Sequence, residues 1–158
     1  MSFDLPYQQL TQSVEETEAL GTRLAEAMLN DASLPRYIAL RGDLGVGKTA
    51  FVRGFTKAIA PEALVRSPTF ALVNEYRPPR ASGRPPVFHF DMYCITSEDD
   101  LYSIGYDDYI DRGICLVEWS ENIPYALPDD HLRLTIEKCG IDAPDHRQIT
   151  LTRITGGQ

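Results

Sequence analysis

Hydrophobic and polar residues alternate with a helical period in two parts of this chain. The first part follows Ser13, which with Glu16 makes the Ser-x-x-Glu pattern of a capping box. The second part contains Phe51, Phe55 and Ile59, which are spaced four apart and therefore share one face of a helix. We predict one helix that begins after Ser13 and a second helix that buries this apolar face.

Strands are predicted where apolar residues run together or alternate with polar ones. These segments are residues 37–40, 70–76, 87–93, 113–119, 131–137 and 147–152. Residues 3–7 are either a first strand or an extended lead, and two short helices are predicted after Ser97 and after Gly105. The run over 113–119 is apolar almost throughout, which indicates a strand buried on both faces of a sheet.

This order of elements predicts an α/β fold with a mixed parallel and antiparallel sheet flanked by helices. Turn-rich loops join 70–76 to 87–93 and 131–137 to 147–152, so we expect two antiparallel hairpins. The 158 residues suit one domain with its own core, and no linker-like stretch divides them. We therefore expect a single domain over residues 1–158.

Composition restricts the possible functions of the chain more than it restricts its possible folds. The formal net charge of −8 argues against a chain that grips nucleic acid by itself, since phosphate binding needs clustered lysine and arginine. No apolar run approaches the ~18 residues of a membrane span, so we expect no membrane as a partner. Cys94, Cys115 and Cys139 form no metal-binding pair and no disulfide framework, which favours a reducing, cytoplasmic location.

Residues 42–49 read Gly-Asp-Leu-Gly-Val-Gly-Lys-Thr and fit the phosphate-binding pattern G-x-x-x-x-G-K-[ST]. A predicted strand precedes them and a predicted helix follows, as this motif requires. The glycines let backbone N–H groups surround an anion, and the helix N-terminus adds its positive end. Lys48 supplies a positive charge for the phosphates, and Thr49 supplies a hydroxyl ligand for Mg²⁺. The residues expected to hold the nucleotide are Asp43, Leu44, Gly45, Val46, Gly47, Lys48 and Thr49.

Two acids are candidates to complete a hydrolytic site, Glu118 and Asp91. Glu118 ends the buried strand, where it is expected to hold Mg²⁺ or to orient the attacking water. The alternative is that Glu118 is a carboxylate without a function, exposed to solvent at the end of the strand. Asp91 shares a strand face with His89 and is either functional or a hydrogen-bonded carboxylate of the hairpin. His89 is as easily structural as functional. Thr69, held rigid by Pro68, either senses the γ-phosphate or caps a turn.

The residues alone leave three functions open. Small GTPases read guanine with an Asn-Lys-x-Asp stretch, and its absence here favours an ATPase. A small-molecule kinase is the second reading, in which Arg77, Arg80 and Arg84 would have to form the lid over the phosphates. A non-catalytic module that senses nucleotide is the third. Trp119, the sole tryptophan, either lines the site or a partner surface, or fills the core.

Four blocks in this order resemble the TsaE family (also called YjeE), bacterial ATPases of tRNA threonylcarbamoyladenosine synthesis. They are the loop over 42–49, Ser-Pro-Thr-Phe over 67–70, His-Phe-Asp-Met-Tyr over 89–93 and Ile-Cys-Leu-Val-Glu-Trp over 114–119. The resemblance implies a small single-domain P-loop NTPase fold, with ATP and Mg²⁺ bound at Lys48 and Thr49. It also implies that Glu118 is a metal-side acid and that Asp91 is needed for turnover.

The resemblance implies partners as well. The family acts with TsaB and TsaD, and a TsaE-like member binds that pair and hydrolyses ATP to support its cycling, while the partners hold the tRNA. Ser13 and Arg147 are implied to approach the nucleoside. The chain departs from the family pattern at Cys94, where an arginine is usual, so that arginine's contact is altered or supplied by an arginine of residues 77–84. Ser120, where the family often has proline, is a second departure.

Overall fold

The computed structural model describes residues 3–43, 45–68 and 72–156. Over these residues the chain forms seven strands and four α-helices. The strands are β1 (Tyr7–Thr11), β2 (Tyr37–Arg41), β3 (Val73–Tyr76), β4 (Val87–Asp91), β5 (Ile114–Glu118), β6 (His131–Lys138) and β7 (Arg147–Ile154). The helices are α1 (Val14–Asn30), α2 (Lys48–Ile59), α3 (Glu98–Ser103) and α4 (Tyr106–Ile110). Short 3-10 turns cover Arg80–Ser82, Ser120–Asn122 and Pro124–Ala126.

The seven strands form one sheet in the order β1-β7-β6-β2-β5-β4-β3. β2 is parallel to β5 and β6, and β4 is parallel to β5. The pairs β1–β7, β6–β7 and β3–β4 are antiparallel, which confirms the predicted mixed sheet and both hairpins. Because β2, β4 and β5 run the same way, their last residues meet at one end of the sheet. We call this the carboxyl end of the sheet and the opposite one the amino end.

Helices cover both faces of the sheet. α1 and α2 pack on one face, where Phe51 and Phe55 lie in a buried cluster with residues of β2, β5 and β6. α3 and α4 lie on the other face, where Leu101 and Tyr106 join a second cluster. β5 is buried at all its positions, so the prediction of a strand covered on both faces is confirmed. In the part of the chain described here, no helix is long and apolar enough to cross a membrane.

The helices α1 and α2 cross with their backbones in contact at two glycines. A Cβ atom on Gly21 would lie 2.3 Å from the carbonyl oxygen of Phe51, and one on Gly54 would lie 1.9 Å from that of Glu18. The Thr22 hydroxyl donates a hydrogen bond of 2.7 Å to the Gly54 carbonyl across the same crossing. The two missing side chains therefore set the distance between the helices.

The first strand begins where the segment left open between a strand and an extended lead ends. β1 begins at Tyr7 and pairs with β7 from Tyr7 opposite Leu151 to Thr11 opposite Arg147. Its sequence gives a weak strand signal, because polar residues fill most of it and its Leu10 is 46% exposed. Of the two alternatives for residues 3–7, the strand is therefore wrong, and these residues lead into β1. The partner strand, not a local pattern, determines where β1 starts.

The strand predicted over 70–76 is described only from Val73. Residues 69–71 lie outside the described part of the chain, and Leu72 has a φ of 67°, which is not an extended conformation. The carbonyl of Leu72 nevertheless accepts a hydrogen bond of 3.0 Å from the N–H of Asp91. The chain leading into β3 therefore runs beside the end of β4. Both β6 and β7 run further than predicted.

Candidate nucleotide-binding site

The phosphate loop joins β2 to α2 at the carboxyl end of the sheet. Gly42, Gly45 and Gly47 have φ values of 146°, 80° and 115°, which residues with a Cβ rarely adopt. There is also no room for a side chain at Gly42, since a Cβ there would lie 2.6 Å from a carbonyl oxygen of β6. Lys48 and Thr49 are the first residues of α2. The unpaired N–H groups of the helix start therefore face the loop, where they favour an anion.

Lys48 is held inside the site by a carbonyl and a carboxylate. Its ammonium donates a hydrogen bond of 2.8 Å to the Gly42 carbonyl and lies 3.7 Å from Oε1 of Glu118. It also lies 5.7 Å from the centre of the Trp119 ring, within the range of a cation–π interaction. The residue is only 7% exposed. Its charge is therefore concentrated beside the loop that the sequence predicted to bind phosphate.

Glu118 ends β5 and is bonded to a buried histidine. Its Oε2 lies 2.6 Å from Nε2 of His89, and the residue is 9% exposed. Burial by itself raises the pKa of Glu118, but the hydrogen bond from His89 and the positive charge of Lys48 outweigh it and hold the pKa below its ordinary value. At neutral pH the carboxylate is therefore ionised, as a metal ligand or a water-orienting group must be.

Asp91 ends β4 and lies opposite Glu118 in the parallel register. Burial raises the pKa of Asp91, and the negative charge of Glu118 adds to that effect. The N–H of Tyr93, which donates to Oδ1 at 3.0 Å, acts in the opposite direction without cancelling it. Two neighbouring acids thus have pKa values displaced in opposite directions, a pattern that is common where two carboxyl groups have different roles.

These residues line two pockets that share the phosphate loop. The larger, of about 640 Å³, is lined by Gly45, Gly47, Lys48, Thr49, Ser67, Asp91, Tyr93, Glu118 and Trp119. The smaller, of about 310 Å³, is lined by Gln12, Ser13, Val14, Glu15, Thr17, Gly45, Val46, Gly47, Ala50, Asp145 and Arg147. Gly45 and Gly47 belong to both. A ligand with a phosphate chain at one end and a nucleoside at the other can therefore span the loop and reach both pockets.

Ser13 and Arg147, which are distant in sequence, both line the smaller pocket. Ser13 caps α1, and its hydroxyl accepts a hydrogen bond of 3.2 Å from the N–H of Glu16. Glu16 accepts from the N–H of Gln12 rather than of Ser13, so the capping box closes one residue earlier than predicted. Arg147 donates from Nε to the carbonyl of Val46 at 2.7 Å. The last strand therefore braces the phosphate loop, a contact that no local pattern indicated.

The aromatic wall of the larger pocket is the pair Tyr93 and Trp119. Their ring centres are 5.1 Å apart in an edge-to-face arrangement, and Tyr93 is 63% exposed. Trp119 has a left-handed backbone with a φ of 58°, an uncommon conformation for a bulky residue. Because of this backbone turn, the chain does not continue in the direction of β5 beyond Glu118, the residue before Trp119. Trp119 thus lines the pocket and also packs against the second core cluster, whereas a role on a partner surface stays a prediction.

Some residues predicted for the site contribute through their backbone only, and others are not among the described residues. Leu44 and Thr69 are outside the described residues, so their predicted roles stay predictions. The Val46 side chain is 1% exposed and belongs to the core, which leaves its backbone for the loop. Asp43 is exposed, and its carbonyl accepts a hydrogen bond of 3.3 Å from the N–H of Val46.

The arginines between β3 and β4 lie away from the site. Their connection enters β4 at Val87, the amino end of the sheet, whereas Asp91 ends the strand at the carboxyl end. Arg84 donates to the carbonyl of Ile59 in the last turn of α2 at 2.9 Å, and Arg77 pairs with Glu75. Neither contact reaches the phosphate loop. That the contact of the missing family arginine is altered, or is supplied by an arginine of residues 77–84, stays a prediction.

The donor set suits an ion that arrives with a nucleotide. Within residues 3–43, 45–68 and 72–156, no group of three His, Cys, Asp or Glu residues is placed to hold a metal ion by itself. Mg²⁺ keeps several waters and takes one or two protein oxygens together with phosphate oxygens. Thr49 at the start of α2 and the ionised Glu118 are oxygen donors that line one pocket, so the chemistry of the site fits such an ion.

Comparisons with known proteins agree with this geometry. A family model described as "Threonylcarbamoyl adenosine biosynthesis protein TsaE" matches residues 11–149. A Bacillus subtilis protein named tRNA threonylcarbamoyladenosine biosynthesis protein TsaE is 36% identical over 145 residues, which are 91% of this chain and 84% of that protein. A Haemophilus influenzae protein of the same name is 35% identical over 119 residues, 74% of this chain and 73% of that protein.

A solved structure has the same fold. The crystal structure of Bacillus subtilis YdiB matches with a TM-score of 0.71 and 30% sequence identity, covering 98% of this chain and 90% of that one. The predicted α/β fold class is therefore confirmed, and so is the resemblance carried by the four sequence blocks. Since the family model covers most of the chain, the chain belongs to the TsaE family.

Proposed function

We propose that this chain is the ATP-hydrolysing subunit of the machinery that makes N6-threonylcarbamoyladenosine in tRNA. Its relatives carry the name of that biosynthesis. The observation that carries the proposal is that Gly45, Gly47, Lys48 and Thr49 of the phosphate loop meet Asp91 and Glu118 in one pocket. The single sheet supports treating residues 1–158 as one ATPase domain.

In this proposal the loop and α2 bind the phosphate chain. The backbone N–H groups of the loop and the ammonium of Lys48 hold the β- and γ-phosphates. Lys48 exchanges the Gly42 carbonyl for phosphate oxygens on binding and stays close to Glu118, 3.7 Å away. Ser13 and Arg147, on the smaller pocket, are assigned to the nucleoside.

The two acids are assigned to the metal and the water. Thr49 and Glu118 would hold Mg²⁺, directly or through water, and a bound Mg²⁺ would supply positive charge that offsets the charge of the phosphates. Glu118 suits this task because its pKa is lowered and its carboxylate is ionised. Asp91, whose pKa is raised and which faces the same pocket, is assigned to the water that attacks the γ-phosphate.

Partners complete the proposal. We infer that the chain acts with a TsaB–TsaD-type complex, that tRNA is bound by those partners, and that hydrolysis by the chain alone is slow. A cytoplasmic location goes with this role. Cys94, Cys115 and Cys139 are all free thiols, which suits a reducing compartment.

A small-molecule kinase is the alternative, and one observation weighs against it. Kinases that transfer phosphate to metabolites close a lid over the nucleotide. The arginine-rich connection between β3 and β4, the sequence's sole candidate for such a lid, lies at the amino end of the sheet and is tied to the end of α2 through Arg84. The ATPase is therefore the better supported reading.

The experiment compares Glu118→Gln with the wild-type chain. Glutamine keeps the size of the side chain and removes its charge, so we expect ATP to bind and its hydrolysis in the presence of the partner complex to fall by more than ~100-fold, about 2.7 kcal/mol in the barrier. Binding is measured by calorimetry and hydrolysis by phosphate release. Glu121→Gln, a change at an exposed acid in the next turn, is the matched control and should keep wild-type turnover.

The result separates the three functions. Loss of turnover and of tRNA modification, with binding retained, supports the ATPase. Modification that survives Glu118→Gln would instead favour the nucleotide-sensing module. Transfer of phosphate from ATP to a metabolite rather than to water would favour the kinase.

A further inference from the structure

We propose that His89 is the positioning residue for Glu118: it donates from Nε2 to Oε2 of the carboxylate and thereby turns Oε1 toward Lys48 and the pocket. This inference rests on the proposed function, in which Glu118 acts on the metal or on water. It gives His89, which the sequence left undecided between structure and function, a definite role.

The two oxygens of Glu118 have different neighbours. Oε2 lies 2.6 Å from Nε2 of His89, which is the distance of a strong hydrogen bond. Oε1 lies 3.7 Å from the ammonium of Lys48, which is too far for a hydrogen bond but close enough for attraction. The carboxylate is thus fixed through one oxygen, and Oε1 is the oxygen that remains to meet an ion or a water.

The surroundings of the imidazole assign its proton. His89 is fully buried, and its Nδ1 has no hydrogen-bond partner among the described residues. A proton on Nδ1 alone would leave a buried donor unsatisfied and would set a lone pair of Nε2 against the carboxylate. The geometry therefore requires a proton on Nε2.

The sheet makes this contact rigid. β4 lies between β3 and β5, and His89 pairs with Asn74 on one side and Leu116 on the other. Glu118 lies two residues beyond Leu116, so it points to the same face of the sheet as the histidine. The ring reaches the carboxylate diagonally from a strand that is paired on both sides.

Loss of the histidine bond has a specific consequence for the site. A freed carboxylate can rotate further toward the Lys48 ammonium and shorten the present 3.7 Å separation to a hydrogen-bonded ion pair. That pair would occupy both the group that holds phosphate and the group that holds the ion. The bond from His89 keeps these two groups near each other but separate.

The first test reads the proton directly and needs no turnover. Long-range ¹H–¹⁵N spectra of the histidine rings show which nitrogen carries a proton, and His89→Gln assigns the signals. His131 is an internal comparison, because it is buried too but uses Nδ1, which lies 2.8 Å from the carbonyl of Pro128 and must donate to it. We expect a proton on Nε2 of His89 and on Nδ1 of His131.

The outcome of the spectrum is decisive for the proposal. A protonated Nε2 at His89, with a resonance that shifts in Glu118→Gln, supports it, whether or not Nδ1 also carries a proton. A bare Nε2 would overturn it. No shift of the His89 signals in Glu118→Gln would overturn it too, because the two side chains would then not be bonded.

The second test separates positioning from packing. His89→Leu removes the donor, and we expect kcat for ATP hydrolysis to fall by ~10- to 100-fold with a smaller change in KM. His89→Gln places an amide N–H near the position of Nε2 and should recover most of this loss. His131→Leu, a matched change at the amino end of the sheet, should keep kcat close to wild type even if stability falls.

If kcat fell equally in His89→Leu and His89→Gln, or fell as much in His131→Leu, His89 would act only by filling space.

Failure of the proposed function would give a different result. If the wild-type chain with its partners does not hydrolyse ATP, the ATPase proposal fails, while the spectrum still decides whether His89 holds Glu118.

Discussion

At the scale of single residues, we expect the proposed nucleotide binding to depend most on Lys48. It is the sole cationic residue among the described residues that line the larger pocket, and it is almost completely buried there. We expect Lys48→Ala to lower the affinity for ADP by more than ~10-fold, about 1.4 kcal/mol, because the phosphates lose a charge placed beside the loop. Isothermal titration calorimetry measures the change.

The control for this prediction lies on the same helix. Lys57 is exposed in the last turn of α2, far from the loop, so Lys57→Ala should bind ADP like the wild type. If Lys48→Ala also bound ADP with wild-type affinity, the loop would not be the phosphate site.

Cys115 gives a chemical test of burial at the centre of the sheet. Burial raises the pKa of its thiol to about 12. Only the thiolate reacts with alkylating reagents, and at pH 8 a thiol with this pKa is almost entirely protonated. We expect iodoacetamide at pH 8 to modify the exposed Cys94 and Cys139 in the folded chain and to modify Cys115 only after denaturation.

Mass spectrometry of the alkylated protein counts the modified cysteines. Two modified cysteines before denaturation and three after it agree with the prediction. Modification of Cys115 in the folded chain, at a rate like that of the other two, would contradict its burial inside β5.

At the scale of elements, the crossing of α1 and α2 tests whether backbone contact controls stability. Alanine in place of glycine inside a helix normally adds up to ~1 kcal/mol of stability. Here a Cβ on residue 54 would lie 1.9 Å from the Glu18 carbonyl, so the helices must move apart. We expect Gly54→Ala to lower the free energy of unfolding by ~1–3 kcal/mol, the usual cost of overpacking.

Urea denaturation measures this change as a lower midpoint at an unchanged slope. Lys57→Ala on the exposed face of the same helix should change stability by less than ~0.5 kcal/mol. An increase in stability for Gly54→Ala would mean that the helix pair yields easily and that the contact does not set the crossing.

Elements with local signals were predictable, and elements defined by a distant partner were not. The cap at Ser13, the aromatic face of α2 and the apolar run of β5 each lie within one short segment, and each prediction is confirmed. β1 has no such signal, because its bounds follow from pairing with β7 at the other end of the chain.

The candidate site, too, has parts that the sequence could predict and parts that it could not. Lys48, Thr49 and Glu118 belong to short motifs, so their meeting at the carboxyl end of the sheet could be expected from the sequence. The bond between His89 and Glu118 joins residues 29 apart, and the brace from Arg147 to Val46 joins residues 101 apart. Both depend on strand order and register, which hydrophobic patterns do not determine.

At the scale of the whole molecule, charge argues that this chain does not hold tRNA by itself. The net charge is −8, and two arginines of its most basic segment are tied to Glu75 and to the end of α2. We expect no shift of tRNA in a native gel at about 10 µM chain and physiological salt, because phosphate contacts need clustered cations. The partner complex, with and without the chain, is the comparison, and a salt-sensitive shift by the chain alone would contradict the expectation.

The brace from Arg147 also bears on how the protein is synthesised. Residues 147–154 form the strand that lies between β1 and β6, and Arg147 holds the loop carbonyl of Val46. A chain still emerging from the ribosome has made its phosphate loop but not this strand, so β1 lacks its pairing partner and the smaller pocket lacks one wall. In the proposed function the nucleoside side of the site is therefore complete only once β7 has formed, and we expect nucleotide to stabilise the chain only after that strand is in place.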